Sequence, residues 1–469
     1  MRGAPHRGGA GAGLRRGLAV GLGAIILAAV VTLAVLGSIS HTATHDAQFD
    51  AGSPVVGAAR TRTTSRPRTP PPLTVAGRRP PVTEAEVRLQ QAMTKSLRAV
   101  GPNAGALVYD LDAKSELFAL HPTVRRPPAS VEKLWTTAAV LDKLGPDTRL
   151  HTTVLGTGSL HDGVWHGNLY LRGGGDPTFG DQAFNHYWNH GNGPTPNQLV
   201  AQLAAHGIHR VTGLVYADES LFDRRRGGLM TNYAQDIPDF GGQLSALTYD
   251  HGTALKHYSP ATFAAHQLVL TMRGTGIQAK ASPHDAKAPA DARLLAIVSS
   301  PPMSVMLRLM DVPSDDLFAE LFTKQLGVLF GAGGTISDGA RVLRQTIAAN
   351  YGLHPHILDG SGLSRNDRSS PLEVVDLLRE LWKTRAGREL AGALPTVGKE
   401  GTVIGFGVKT PAAGNCIAKT GTLNQVTNLA GYCRARDHHM LAFAFLVDGP
   451  WNGAADTVES KMVGSVAGY

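Results

Sequence analysis

Three short segments of this chain carry side chains suited to acyl transfer: Ser130-Val-Glu-Lys133, Ser314-Asp-Asp316 and Lys419-Thr-Gly-Thr422. A serine hydroxyl is a poor nucleophile at neutral pH and needs a base within hydrogen-bond reach. A lysine three residues further along a helix lies one turn away on the same face, placed to take the proton. Each segment alone is a weak signal. Serine near a helix start is a common cap, and a lysine one turn later is often solvated. Pro313-Ser314 followed by two acids is what any helix N-terminus favours electrostatically. Lys419-Thr-Gly-Thr422 says more, because a glycine inside a strand costs stability and marks a close backbone approach.

The elements that must position these residues can be read around them. Glu84 to Val100 has the periodicity of an amphipathic helix. Ala104 to Asp110, a polar turn at Asp112 to Ser115, and Glu116 to His121 predict a β-hairpin. Val131 to Leu144, closed by Gly145-Pro146, predicts a helix with Ser130 at its start. From Thr148 to Ser300 the pattern turns to short β-like runs: Leu150 to Leu155, Gly167 to Leu171, Val211 to Ala217 and Gln267 to Met272, with a helix at Asn197 to His206. Helices are expected at Leu317 to Gly327 and Ser337 to Tyr351. Cys416 to Leu423, Val426 to Cys433 and Met440 to Val447 predict an antiparallel meander. With the early hairpin it would form one sheet, covered by the Ser130 helix and a C-terminal helix near Ala454 to Val466. A turn at Asn424-Gln425 puts Cys416 opposite Cys433 and Gly421 opposite Asn428, so a Cys416–Cys433 disulfide is expected, with two free buried thiols as the alternative.

Residues 17–40 are uncharged and mostly aliphatic, 24 residues in a row, enough to cross a bilayer. Arg2, Arg7, Arg15 and Arg16 precede them, which leaves residues 1–16 cytoplasmic and everything after Ser40 outside. A cleaved signal peptide is the competing reading, with a shorter apolar core and a small-residue cleavage site as its usual marks. Residues 41–82 are rich in Pro, Thr and Arg and have almost no bulky apolar side chains, so they form a linker. The net charge of +8 resides in this N-terminal part, where ten arginines precede Thr83 against two acids. The rest is balanced and shows no basic bias toward nucleic acid. Its 387 residues exceed one ordinary domain. Beyond the membrane a disulfide would persist. His186 and His190 have metal-ligand spacing without a third ligand, and Gly401 to Gly407 lacks a phosphate-loop pattern, so neither a metal nor an organic cofactor is expected.

In this order and context, the three motifs resemble those of penicillin-binding proteins. The resemblance is to the low-molecular-mass class C group, the D-alanyl-D-alanine carboxypeptidase/endopeptidase family. It extends to Tyr170-Leu-Arg-Gly-Gly-Gly-Asp-Pro-Thr178, Leu244-Ser-Ala-Leu247, Ser299-Ser-Pro-Pro302, Asp359-Gly-Ser-Gly-Leu-Ser364 and Ala418-Lys-Thr-Gly-Thr-Leu423. It implies an α/β (α+β) class and a penicillin-binding-protein/β-lactamase-like transpeptidase fold: an antiparallel sheet with covering helices and a helical subdomain. The peptidase domain would comprise residues 83–147 and 301–469, with a β-rich domain, 148–300, inserted between the first and second motifs.

The resemblance also implies roles. Ser130 attacks, Lys133 takes its proton, Ser314 relays a proton to the leaving amine, and Lys419 eases deprotonation of Lys133 and attracts the substrate carboxylate. Thr420 and Thr422 bind that carboxylate on either side of Gly421, and the N–H groups of Ser130 and Thr422 form the oxyanion hole. Peptidoglycan stem peptides would be the substrate and β-lactams acylating inhibitors, on the outer side of the cell membrane. One position departs from the pattern: Asp316 stands where the family has Asn. A carboxylate only accepts when ionised, and beside two lysines it would form ion pairs that hold Lys133 charged. A catalytically silent wall-binding protein and a β-lactamase or esterase therefore stand as rivals. Ser364-Arg-Asn366 also spells the second motif, but it lies within the Gly-Ser-Gly-Leu segment and reads as structural.

Overall fold

The computed structural model describes residues 83–469 apart from 256 and 450–454. The expected cytoplasmic N-terminus, span and linker lie outside the described residues. Among the described residues no helix is long and apolar enough to cross a membrane.

The chain begins with α1 (Glu84–Val100) and the hairpin β1 (Ala104–Asp110) and β2 (Ser115–Leu120), after which a 3-10 turn, Ala129–Glu132, leads into α2 (Lys133–Lys143). Next come β3 (His151–His161), β4 (Val164–Arg172), α3 (Gln182–Trp188), α4 (Pro196–Ala205), β5 (Arg210–Asp218), α5 (Ile237–Phe240), α6 (Pro260–Gly274), β6 (Gln278–Asp285) and β7 (Arg293–Ser299). The last third holds α7 (Met303–Asp311), α8 (Asp316–Phe330), α9 (Ile336–Tyr351), α10 (Pro371–Leu381) and α11 (Arg385–Ala393). Strands β8 (Cys416–Leu423), β9 (Val426–Arg434) and β10 (Met440–Asp448) and helix α12 (Ala455–Ala467) complete it.

The first sheet, ordered β2-β1-β10-β9-β8, is antiparallel throughout. Strand alternation decides which helices lie on which face. Leu441, Phe443 and Phe445 of β10 share a core with Leu89, Met93 and Leu97 of α1 and Val458, Met462 and Val466 of α12. Ala442 and Ala444 point the other way, into a core built with α2 and α7 to α11. Burial on both faces is why β10 reads as a nearly unbroken apolar run. The expected register holds: β8 and β9 pair Cys416 with Cys433 and Gly421 with Asn428, and the two cysteines are disulfide-bonded.

All strands of the second sheet, ordered β6-β5-β4-β3-β7, fall between the first and second motifs. β3 runs antiparallel to β4 and β7, while β4, β5 and β6 are parallel. Parallel neighbours need crossovers, and α4 and α6 supply them, packing Leu199, Leu203, Phe263, Leu268 and Met272 into a core of their own. Entry and exit of this block are clasped together. Ser300 N donates to Leu150 O at 2.8 Å, Leu150 N to Ser300 Oγ at 2.9 Å, and Met303 N to Thr148 O at 2.8 Å. The block nevertheless shares packing with the first body, because Phe222, Phe240, Leu244 and Ala246 are buried in the core of α2 and α7 to α11.

One expectation fails here, and two strands fall outside the sequence reading. Gln267 to Met272, read as β-like, is the second half of α6. Ser259 caps that helix in a reciprocal box with Thr262 and Pro260 follows at its first position, a start signal that the six-residue window missed. Strands β6 and β7 had no counterpart in the sequence reading. Both are outer strands of their sheet with largely exposed side chains, so neither carries a clear apolar alternation.

Candidate active site

The nucleophile candidate sits on a strained turn. Ala129 has φ +47°, and Ser130 follows in the 3-10 turn that runs into α2. Lys133, fully buried, opens that helix, and its Nζ lies 3.0 Å from Ser130 Oγ. It also donates to Asp316 Oδ1 at 2.5 Å and to the Ser361 carbonyl at 2.7 Å. A lysine ammonium has three N–H donors, and all three are used.

Strand β8 approaches this turn through Gly421. A Cβ there would lie 2.4 Å from Pro128 O and 3.2 Å from Ser130 N, so only glycine lets strand and turn touch. Asn428 on β9 fixes the turn from behind: its Nδ2 donates to Pro127 O at 2.9 Å and Pro128 O at 2.8 Å, while its Oδ1 accepts from Val447 N. Two residues before Gly421, on the same strand face, the fully buried Lys419 donates to Ser314 Oγ at 2.7 Å. Thr420 Oγ1 donates to Thr402 Oγ1 at 2.7 Å, and Thr422 is exposed at the strand end.

Ser314 has φ +67°, a left-handed conformation uncommon outside glycine and frequent at functional sites. Asp315 caps α8 by accepting from Phe318 N, which places Asp316 at the first helical position, facing Lys133. The other Asp315 oxygen contacts His251 Nε2 at 2.7 Å. Two mutually bonded pairs result, Ser130 with Lys133 and Ser314 with Lys419.

Burial dominates the electrostatics. It depresses the Lys419 ammonium to about 7, reinforced by the charge on Lys133 and opposed by Asp311 and Asp316. The Asp311 carboxyl, buried under both lysines and accepting from Thr137 Oγ1 at 2.8 Å, is pushed up to about 7. Asp316 is held above the usual carboxylate range because burial outweighs the nearby Lys133 ammonium. Below the turn, burial raises Glu132 and Asp359 as well, and the neighbouring Asp359 carboxylate adds to the rise of Glu132.

The structure thus brings Ser130, Lys133, Ser314, Asp316, Lys419, Thr420, Gly421 and Thr422 into one place, and forms the expected Lys133–Asp316 ion pair. In Ser364-Arg-Asn366, Ser364 N donates to Asp359 and Asn366 N to Ser364, while Arg365 reaches out to donate to Asn424 O in the β8–β9 turn. His186 lies on α3 and His190 just beyond it. The Gly401 to Gly407 loop presents Thr402 to Thr420. Reasoning from sequence missed Ser361, Glu320, Asp311, Thr402 and Asn428. The Asp359 to Ser364 segment had been singled out, but no sequence signal tells that its contribution to Lys133 is a main-chain carbonyl.

A serine and lysine on a helix start, a serine turn and a Lys-Thr-Gly strand against a helix-covered antiparallel sheet define a serine acyl-transferring hydrolase. The model of the D-Ala-D-Ala carboxypeptidase 3 (S13) family matches residues 86–259 and 239–468. The chain belongs to that family and is a serine peptidase. It is 24% identical to the D-alanyl-D-alanine carboxypeptidase of Actinomadura sp. (strain R39), over 85% of this chain and 88% of that one. It is 28% identical to the carboxypeptidase DacB of Mycolicibacterium smegmatis, over 92% and 93%. Among solved structures, penicillin binding protein 4 of Haemophilus influenzae shares its fold, with a TM-score of 0.66 at 20% identity over 79% of this chain and 97% of that one.

Proposed function

We propose that this protein is a serine-type D-alanyl-D-alanine carboxypeptidase/endopeptidase that works on peptidoglycan stem peptides through an acyl-enzyme at Ser130. Lys133 in its neutral form takes the hydroxyl proton as Ser130 Oγ attacks the carbonyl between the two D-alanines. The N–H groups of Ser130 and Thr422 receive the developing oxyanion, and their preorganisation at the Gly421 contact supports that role. Ser314, bonded to Lys419, passes its proton to the departing amine and takes in exchange the one that Lys133 removed from Ser130, which leaves Lys133 neutral again. Water then enters, and Lys133 serves again as base to free the acid. The same steps release a free D-alanine or the amine of a cross-link, depending on which amine occupies the leaving position. Thr420 and Thr422 hold the substrate carboxylate with Lys419.

The observation that carries this reading is the pairing of two buried lysines with two serines, at 3.0 Å and 2.7 Å, beside one another. β-Lactams would acylate Ser130 by the same attack. Residues 17–40 would anchor the enzyme with its catalytic part outside the membrane. The full-length chain incubated with a fluorescent penicillin should retain label through denaturing electrophoresis. Absence of label sinks the acyl-enzyme reading, and rapid release of hydrolysed penicillin would move it to a β-lactamase.

A further inference from the structure

The Asp359 to Ser364 segment has no place in the chemistry above, yet it touches the base. Ser361 O accepts from Lys133 Nζ at 2.7 Å, and Ser361 is fully buried. Its peptide is held from the opposite side by Glu320, whose Oε1 accepts from Gly360 N at 3.1 Å and Ser361 N at 2.9 Å. Thr136, one turn beyond Lys133 on α2, donates to Gly360 O at 2.8 Å. Gly362 abuts the nucleophile turn, since a Cβ on it would lie 1.9 Å from Ala129 O. Asp359 closes the loop by accepting from Gly362 N and Ser364 N. Glu320 lies four residues after Asp316, so both project from one face of α8. The helix therefore reaches Lys133 twice, directly through Asp316 and indirectly through the loop.

We propose that Glu320 is a positioning residue for the catalytic base: by holding the Gly360-Ser361 peptide it aims the Ser361 carbonyl at Lys133 and so points the lysine lone pair at Ser130. The inference rests on the acyl-enzyme reading of the site. Lys133 Nζ moves on a flexible stem, and without the carbonyl one of its three anchors is gone. Asp316 would then pull it away from Ser130 as readily as toward it. A carboxyl group serves as the anchor whether or not it carries a proton, because Oε1 accepts in both states. That matters because burial, with Asp359 beside it, pushes Glu320 up to about 8. The charged groups around Lys133 are Asp316 on α8, Lys419 on β8, Asp311 on α7, Glu132 on the nucleophile turn and Asp359 on the loop itself; substitution at Glu320 replaces none of them, and its electrostatic effect falls on Glu132, which Glu320 helps to raise, a contribution that Met and Gln remove alike.

The test is the rate of acylation of the full-length chain by a fluorescent penicillin as a function of pH. Glu320→Met is expected to acylate about tenfold to a hundredfold more slowly, the cost of misplacing a reacting group by roughly an ångström. The midpoint of its pH dependence should also move down, because an accepting carbonyl favours the charged lysine. Glu320→Gln keeps an oxygen for both N–H groups and should recover most of the rate. Thr136→Val loosens the same loop from the other side and should reproduce the Met effect in milder form, which keeps the test open if Glu320→Met does not fold. Wild-type rate and midpoint in Glu320→Met or, failing its folding, in Thr136→Val would overturn the proposal. So would a slowed rate with an unmoved midpoint and no recovery by Gln, which marks a role in folding alone. A wild-type chain that takes no label sinks the acyl-enzyme reading first, and this inference falls with it.

Discussion

At the scale of single residues, the site is a set of charges kept out of water. Ser130→Ala is expected to abolish covalent penicillin labelling while the thermal midpoint stays nearly unchanged, because a hydroxyl at a helix start contributes only about 1 kcal/mol. Asp316→Asn should speed acylation and shift its rise with pH downward, since the carboxylate at 2.5 Å favours the charged form of Lys133. An unchanged or slower rate would show that the chain has adapted to its aspartate. Lys419 sets a third expectation. With its ammonium depressed to about 7, its positive charge is present below that pH and lost above it. KM for a peptide ending in a carboxylate should therefore climb as pH passes about 7, more steeply than kcat falls. The meeting of Ser130 with Lys133 and of Ser314 with Lys419 was legible in the sequence, because these candidates are marked by side-chain type and spacing. Ser361 was not, because any residue has a carbonyl and only the fold decides where it points.

At the scale of elements, the contacts that align the motifs are made mostly by backbone. The Cys416–Cys433 bond ties β8 to β9 three residues before Lys419, across a sequence separation of 17. Replacing both cysteines by alanine should lower stability by about 3 kcal/mol, by the chain-entropy argument for a loop of this size. Denaturant titration of the double variant measures it, and a loss well under 1 kcal/mol would mean the register is fixed without the bond. The β8–β9 register was readable because a two-residue turn leaves one pairing that opposes both cysteines. Helix α6 was misread because its start signal lies eight residues ahead of the apolar run that drew attention. His251 joins the second-sheet block to the cap of α8. Burial opposes its charging, but Asp315 wins and raises it above its ordinary value of 6.5. A raised folded-state value stabilises fully below 6.5 and fades as pH rises through that value. His251 has φ +59°, so asparagine is the substitute that keeps the backbone. His251→Asn should therefore cost more stability at about pH 5.5 than at about pH 8.5, and an equal loss at both would rule out the ion pair as its cause.

At the scale of the whole molecule, three cores share one chain. Phe240 belongs by sequence to the block between the first two motifs and by packing to the core behind the site. Phe240→Ala is expected to destabilise by about 3 to 5 kcal/mol, as large-to-small changes in cores do, and to lower labelling activity along with it. A loss confined to the second sheet, with labelling intact up to the original melting temperature, would show that the core of that sheet and the core behind the site are uncoupled. The change of pattern near Thr148 and Ser300 brackets the strands of the second sheet, but it could not show the shared packing, which depends on where residues 219–247 return.

The clasp between Leu150 and Ser300 bears on the order in which the chain folds. Lys133 and Asp316 are 183 residues apart in sequence, a long loop to close from a disordered chain. Once β3 and β7 have paired and Ser300 has met Leu150, a sequence separation of 150 no longer counts as slack. The nucleophile helix and α7, which leads directly into the second motif, then emerge side by side, separated along the effective path by a few dozen residues instead of nearly two hundred. The second sheet thus acts as a splice for assembling the site. Ser300→Ala, which removes the side-chain acceptor for Leu150 N, is expected to slow recovery of penicillin labelling on refolding while leaving the rate of unfolding almost untouched.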